Sequence, residues 1–164
     1  MTTTNTQRFD PQLAFCFAVV IDIPGLGDGK AYFKSVGGLK YESEVVDYKE
    51  GGYNIGTRRL VGGAKWGNLI LKRGFIGPGG SESANALLEW RRLWLVEANV
   101  DGTALARANG KIQQLNSKLE PVCHWTFHRG WPCKWEISEL DASKSEIVVE
   151  TLEIAHEGLE FNGQ

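Results

Sequence analysis

The chain has 164 residues, 42% hydrophobic and 10% aromatic, which is enough for one domain with its own core. Eighteen basic against twenty acidic side chains leave a formal charge of -2, which excludes the net basic field of a general nucleic-acid binder. No stretch reaches the apolar length of a membrane span, and the opening MTTTNTQR lacks the apolar centre of a secretory signal. Synthesis in the cytoplasm, with no membrane insertion by this chain alone, is therefore expected. Cys16, Cys123 and Cys133 are odd in number and irregularly spaced, so they read as small buried side chains and not as a disulfide framework.

In chain order, the first ten residues read as a flexible leader to a single domain spanning 1–164. Leu13 to Ile23 follows as the clearest strand: Leu13, Phe15, Phe17, Val19, Ile21 and Ile23 alternate with smaller or polar residues. Pro24 to Gly29 turns the chain into a second strand, Lys30 to Val36. The glycines of that turn match neither phosphate-loop nor dinucleotide spacing: Pro24 stands where the first Walker glycine belongs and Ala31 where Ser or Thr belongs.

Gly38 to Tyr48 and Trp66 to Phe75 read as two further strands. The intervening 49–65, about seventeen residues, is longer than a compact domain needs for a connector, which marks it as a functional loop. Ser81 to Val100 is the one expected helix, with Ala84, Leu87, Leu88, Trp94, Leu95 and Ala98 on one stripe that Arg91 interrupts and Trp90 edges. Ala104 to Ser117 gives no clear signal beyond a possible short strand at Lys111 to Leu115. Strand patterning returns at Pro121 to His128, is expected to break at Gly130-Trp131-Pro132, and resumes at Trp135 to Ser138 and Glu146 to Phe161. The sum is a mainly β, α+β domain: an antiparallel barrel or sandwich flanked by a helix.

Chemistry is hard to place on this chain. Cys123, His124, His128 and Cys133 are zinc-type ligands, but on a strand His124 and His128 lie about 13 Å apart and Cys123 points the other way. There is no nucleophile elbow, and Glu42 and Glu44 read as a solvated or partner-facing pair. No catalytic residue, cofactor or metal is expected. A small β-barrel that binds a ligand or metal is the competing reading of another class; a secreted effector would need chemistry that is missing.

The unusual features are surface charges around the long loop. Glu44, Asp47 and Glu50 precede it or open it, while Arg58, Arg59, Lys65, Lys72 and Arg73 close it or follow it, with Gly51, Gly52 and Tyr53 between. An element acidic at one end and basic at the other suits head-to-tail association with a copy of itself. These eleven residues form the candidate assembly site.

The block order Val36-Gly37-Gly38-Leu39, Glu44 to Gly52, Leu60-Val61-Gly62-Gly63 and Asn68 to Gly74 resembles the tail-tube proteins of contractile phages and injection systems. The likeness continues through Trp90, Trp131 to Trp135 and Ile147 to Leu159, nearly the whole chain. It implies a tube-type barrel that closes into hexameric rings, stacked as a hollow tube inside a contractile sheath, with a lumen for cargo protein or DNA. The type VI secretion tube protein is a structural relative of that family. The implied partners are further copies of the chain, the sheath protein, and baseplate and tube-terminator proteins; a baseplate-end or terminal paralogue of the same fold is the alternative. The glycine-rich 76–80 and the long 98–120 depart from compact members of the family.

Overall fold

The computed structural model describes residues 16–49, 51–52, 56–75, 82–97, 107–143 and 146–163. Expectations for 1–15, Glu50, Tyr53, 76–81 and 98–106, including the start and end of the expected helix, fall outside them. Ten strands, one α-helix and a π-helical turn make up the described part: β1 (Cys16–Ile23), β2 (Gly27–Phe33), β3 (Ser35–Gly37), β4 (Tyr41–Tyr48), β5 (Arg58–Trp66), β6 (Leu69–Gly74), α1 (Glu82–Arg92) with the π-turn Leu93–Glu97, β7 (Ala108–Leu115), β8 (Pro121–Ile137), β9 (Val149–Ala155) and β10 (Gly158–Gly163).

Eight strands form one antiparallel sheet in the order β2-β1-β7-β8-β9-β6-β3, with β10 also on β8. Its two ends, β2 and β3, are separated in the chain only by Lys34, whose N–H donates to the Lys72 carbonyl. The sheet therefore curls until its ends meet at a corner, which leaves few open edges. Alternation decides what fills the inside: Val19, Ile21 and Ile23 of β1, Leu69 and Leu71 of β6, Ile112 of β7, Phe127 of β8 and Leu152 and Ile154 of β9 are all buried in one cluster. Leu87 and Trp90 of α1 join it from the side of β2 and β1.

The expected break at Gly130-Trp131-Pro132 does not occur. β8 runs through all three, bending at Arg129, which takes the left-handed φ of 53°. Before the bend β8 lies between β7 and β10; after it, β8 pairs with β9. Proline survives there because the strand changes neighbours at that point. The long last element is instead two strands, β9 and β10, parted at His156 and Glu157. The region without a clear signal supplies β7, a central strand whose Gln114 is buried against Cys123. Trp90, expected at the edge of the helical stripe, is a core residue only 1% exposed.

Arg91 interrupts the stripe for a reason. Glu150 on β9 is buried, and its Oε1 accepts from Arg91 Nη1 at 2.9 Å and Trp135 Nε1 at 2.8 Å, while its Oε2 accepts from Arg73 Nε at 2.8 Å. The Arg91 guanidinium also sits 3.9 Å from the Trp135 ring centre and that of Arg73 5.4 Å from Phe33. Burial pulls the Arg91 pKa below its usual value, and Glu150 opposes that shift. One carboxylate thus ties α1, β6, β8 and β9 together.

β4 and β5 stand apart as a two-stranded antiparallel hairpin paired with nothing else among the described residues. The connector expected over 49–65 is therefore shorter, since Arg58 to Trp66 is a strand; Trp66 ends β5, and the next strand starts at Leu69. Exposure on both faces removed the alternation that would have revealed β5. Where the hairpin leaves the barrel, Gly38 has φ +78°, and an added Cβ would lie 1.8 Å from the Asn68 carbonyl oxygen.

Two outcomes follow. Glu150→Ala strands two arginines at the helix–barrel contact and should lower unfolding free energy by about 3–5 kcal/mol in urea titration; a loss under 1 kcal/mol would contradict the tie. Gly38→Ala should cost roughly 1–3 kcal/mol from backbone strain alone, read as a lower melting temperature.

Candidate assembly interface

The hairpin holds most of the candidate assembly residues: Glu44 and Asp47 on β4, Gly51 and Gly52 in the turn, and Arg58, Arg59 and Lys65 on β5. Lys72 lies exposed on β6 of the barrel. Arg73 does not belong with them: it is buried, and its guanidinium is committed to Glu150. Alternation along β6 turns Lys72 outward and its neighbour inward.

Folding the hairpin changes what its charges do. The acidic strand and the basic strand lie side by side, so Arg59 Nε sits 3.5 Å from Asp47 and Lys65 Nζ 3.8 Å from Glu44, with Lys40 3.1 Å from Glu42 at the root. Charges segregated along the sequence are thus largely neutralised across the strands. Such exposed pairs contribute at most about 1 kcal/mol each. Their main effect is to leave the hairpin without a strong field of either sign.

What remains is apolar. Register pairs Tyr41 with Trp66 and Val45 with Val61 on one face, and Val46 with Leu60 on the other, beside Tyr48. A bulge sets Gly62 and Gly63 opposite Glu44 and keeps both sets aligned; an added Cβ on Gly62 would meet the Glu44 carbonyl at 2.9 Å. Val61 is 88% exposed, Tyr41 71%, and Val45, Tyr48 and Leu60 each more than half. An isolated two-stranded sheet is marginal in water, and apolar side chains on both faces cannot be covered by the strands themselves. The alternation of β4 already sets Tyr41 and Val45 on one face and Val46 and Tyr48 on the other, whereas Leu60 and Val61 fall in the stretch expected to be a loop and carried no such signal.

The zinc-type residues are dispersed. Cys123 Sγ faces Gln114 Oε1 at 3.5 Å, Cys133 Sγ donates to the Glu153 carbonyl at 3.4 Å, and His128 lies 3.6 Å from Glu160. Burial raises both thiol pKa values. Among the described residues no group of three or more His, Cys, Asp or Glu is placed to hold a metal ion, and no helix is long and apolar enough to cross a membrane.

Residues 13–160 match the family model described as T4-like virus tail tube protein gp19. Among solved structures, the chain is similar to one from the anti-feeding prophage baseplate, with 25% identity, a TM-score of 0.79, and 95% of this chain and 98% of that one covered. It is also similar to a chain of the sheath/tube terminator of an extracellular contractile injection system in the extended state, with 20% identity, a TM-score of 0.71 and coverage of 94% and 99%. A type six secretion system protein matches at 13% identity and a TM-score of 0.51 over 88% and 82%. No curated protein sequence matches the chain. With a barrel of this fold, an exposed apolar hairpin and a family match over nearly its full length, the chain belongs to the T4-like virus tail tube protein gp19 family and is a structural subunit of the tube of a contractile tail or injection system.

Proposed function

We propose that copies of the chain close into six-membered rings that stack into a hollow tube, and that the β4–β5 hairpin makes the contact between copies. The observation that carries this reading is the hairpin tip, apolar on both faces at once. A one-sided apolar strip would suit a flat dock. A two-sided strip suits insertion between two surfaces, which a tube of identical subunits offers wherever a tip enters the joint between neighbours. Glu44, Asp47, Glu50, Gly51, Gly52, Tyr53, Arg58, Arg59 and Lys65 are the hairpin's contribution, with Lys72 beside them on the barrel.

The role is non-enzymatic. The tube's partners are a contractile sheath, a baseplate and a terminating cap, and its lumen holds cargo protein or DNA. The subunit is made in the cytoplasm and joins a tail or injection particle. A baseplate-end paralogue is the second reading, favoured by the resemblance to the anti-feeding prophage baseplate chain.

Val46→Asp combined with Leu60→Asp places two carboxylates on one apolar face of the tip. Losing that burial should raise the protein concentration needed for assembly by roughly tenfold or more, as read by analytical ultracentrifugation. Charge reversal at Arg58 and Arg59, which sets new carboxylates beside Asp47, should also impair stacking while circular dichroism stays that of the folded monomer. Unchanged assembly in both variants would remove the hairpin from the interface.

A further inference from the structure

An arm that inserts between copies needs a receiving surface, and strand register puts one at the opposite end of the barrel. The hairpin leaves beside Leu69, where β6 starts against Ile154 of β9 and where the Trp66 ring centre lies 6.2 Å from that of His156. β6 then runs to Gly74, which pairs with Val149, and β8 reaches the same end at Ile137, which pairs with Glu150. The six residues of β6 hold the two ends roughly 17 Å apart.

Apolar side chains stand in solvent at that far end. Ile147 is 81% and Leu140 74% exposed, and Phe75 is exposed as well. Apolar residues gathered in this way mark a contact surface. Backbone bonds fix their places: Phe75 N–H donates to the Val148 carbonyl and Ser138 N–H to the Val149 carbonyl, each at 2.8 Å, while Val149 N–H donates to Ser138 Oγ at 3.0 Å. Ile147 and Val148 line a groove of about 170 Å³ together with Ser138, Glu139, Asp141 and Glu146. That space is on the scale of one aromatic or branched side chain.

The rim of the groove is acidic. Glu139, Asp141 and Glu146 are exposed around it, and Lys144 is the one base in the sequence from 138 to 148. Asp141 Oδ1 accepts from the Ser143 N–H at 2.9 Å and from its hydroxyl at 2.6 Å. The hairpin tip has the opposite excess. Beyond the Asp47–Arg59 pair, the sequence sets Lys49 and Arg58 against Glu50 alone. Val46, Tyr48 and Leu60 supply exposed apolar surface beside those charges. Apolar surface on both sides with opposite charge around it suits a heterologous joint, in which one end of a subunit fits the other end of its copy.

We infer that the patch of Phe75, Leu140 and Ile147, with its acidic rim, is the socket for the hairpin tip of the next copy, a role that rests on the hairpin being the contact arm. Each subunit then offers one arm and one socket at opposite ends of the barrel, so successive copies add in one direction.

Photo-crosslinking of the assembled protein tests the socket. With Leu60 replaced by p-benzoylphenylalanine, and isotopically light and heavy copies mixed before irradiation, mass spectrometry reads which segment of another copy the tip touches. Cross-links between light and heavy chains should fall on Phe75, on 138–143 or on 146–148. Cross-links between copies that fall elsewhere would overturn the socket and leave the hairpin as the contact arm, whereas no cross-link between copies would remove both. A charge swap gives an independent reading. Glu139→Lys with Glu146→Lys should raise the concentration needed for assembly about tenfold, and adding Lys49→Glu with Arg58→Glu to the same chain should restore it to within about threefold. All four side chains are exposed, so circular dichroism should stay that of the folded chain. Unchanged assembly in the first variant, or no restoration in the second, would overturn the inference.

Discussion

Everything distinctive about this protein follows from a hairpin that cannot satisfy itself. Two strands have two faces and no interior, and here both faces carry valine, leucine or tyrosine. The barrel does not relieve them: its core is filled by β1, β6, β7, β8, β9 and the inner side of α1, and the hairpin's strands pair only with each other among the described residues. Cross-strand ion pairs cancel most of the hairpin's charge without covering its apolar surface. On the proposed reading, copies of the same chain supply the missing cover in a tube of repeated subunits.

The barrel is organised to hold that arm firmly at its root and nowhere else. Glu150 fastens the helix to three strands through two arginines and a tryptophan. A buried carboxylate shared by two guanidiniums is favourable only when every oxygen is occupied, and both are. By contrast the arm is joined through Gly38, Gly67 and one aromatic stack on His156.

Much of this was legible in the residues. β1 was clear from its alternation, α1 from its apolar stripe, and the fold class from the glycine-punctuated strands between them. β5 was hidden because a strand exposed on both faces has no period to detect, and its two glycines mimic a loop while they form a bulge. β7 was legible only as a short strand at Lys111 to Leu115, because its polar Gln113 and Gln114 lie on a central strand and weaken the pattern. The acidic and basic runs around the loop were visible, but only strand register shows that they face each other, and only three-dimensional contact shows that Arg73 serves Glu150. The block order from Val36 to Leu159 carried the family because it records the whole arrangement at once.

The central claim is that the hairpin tip lies buried between copies of this chain. Cryo-electron microscopy of the purified protein at high concentration tests it most directly. Six-membered rings or stacked tubes, with Val46, Leu60 and Val61 enclosed between neighbouring subunits, are the expected result. A strictly monomeric particle, or rings in which those three side chains remain in solvent, would contradict it.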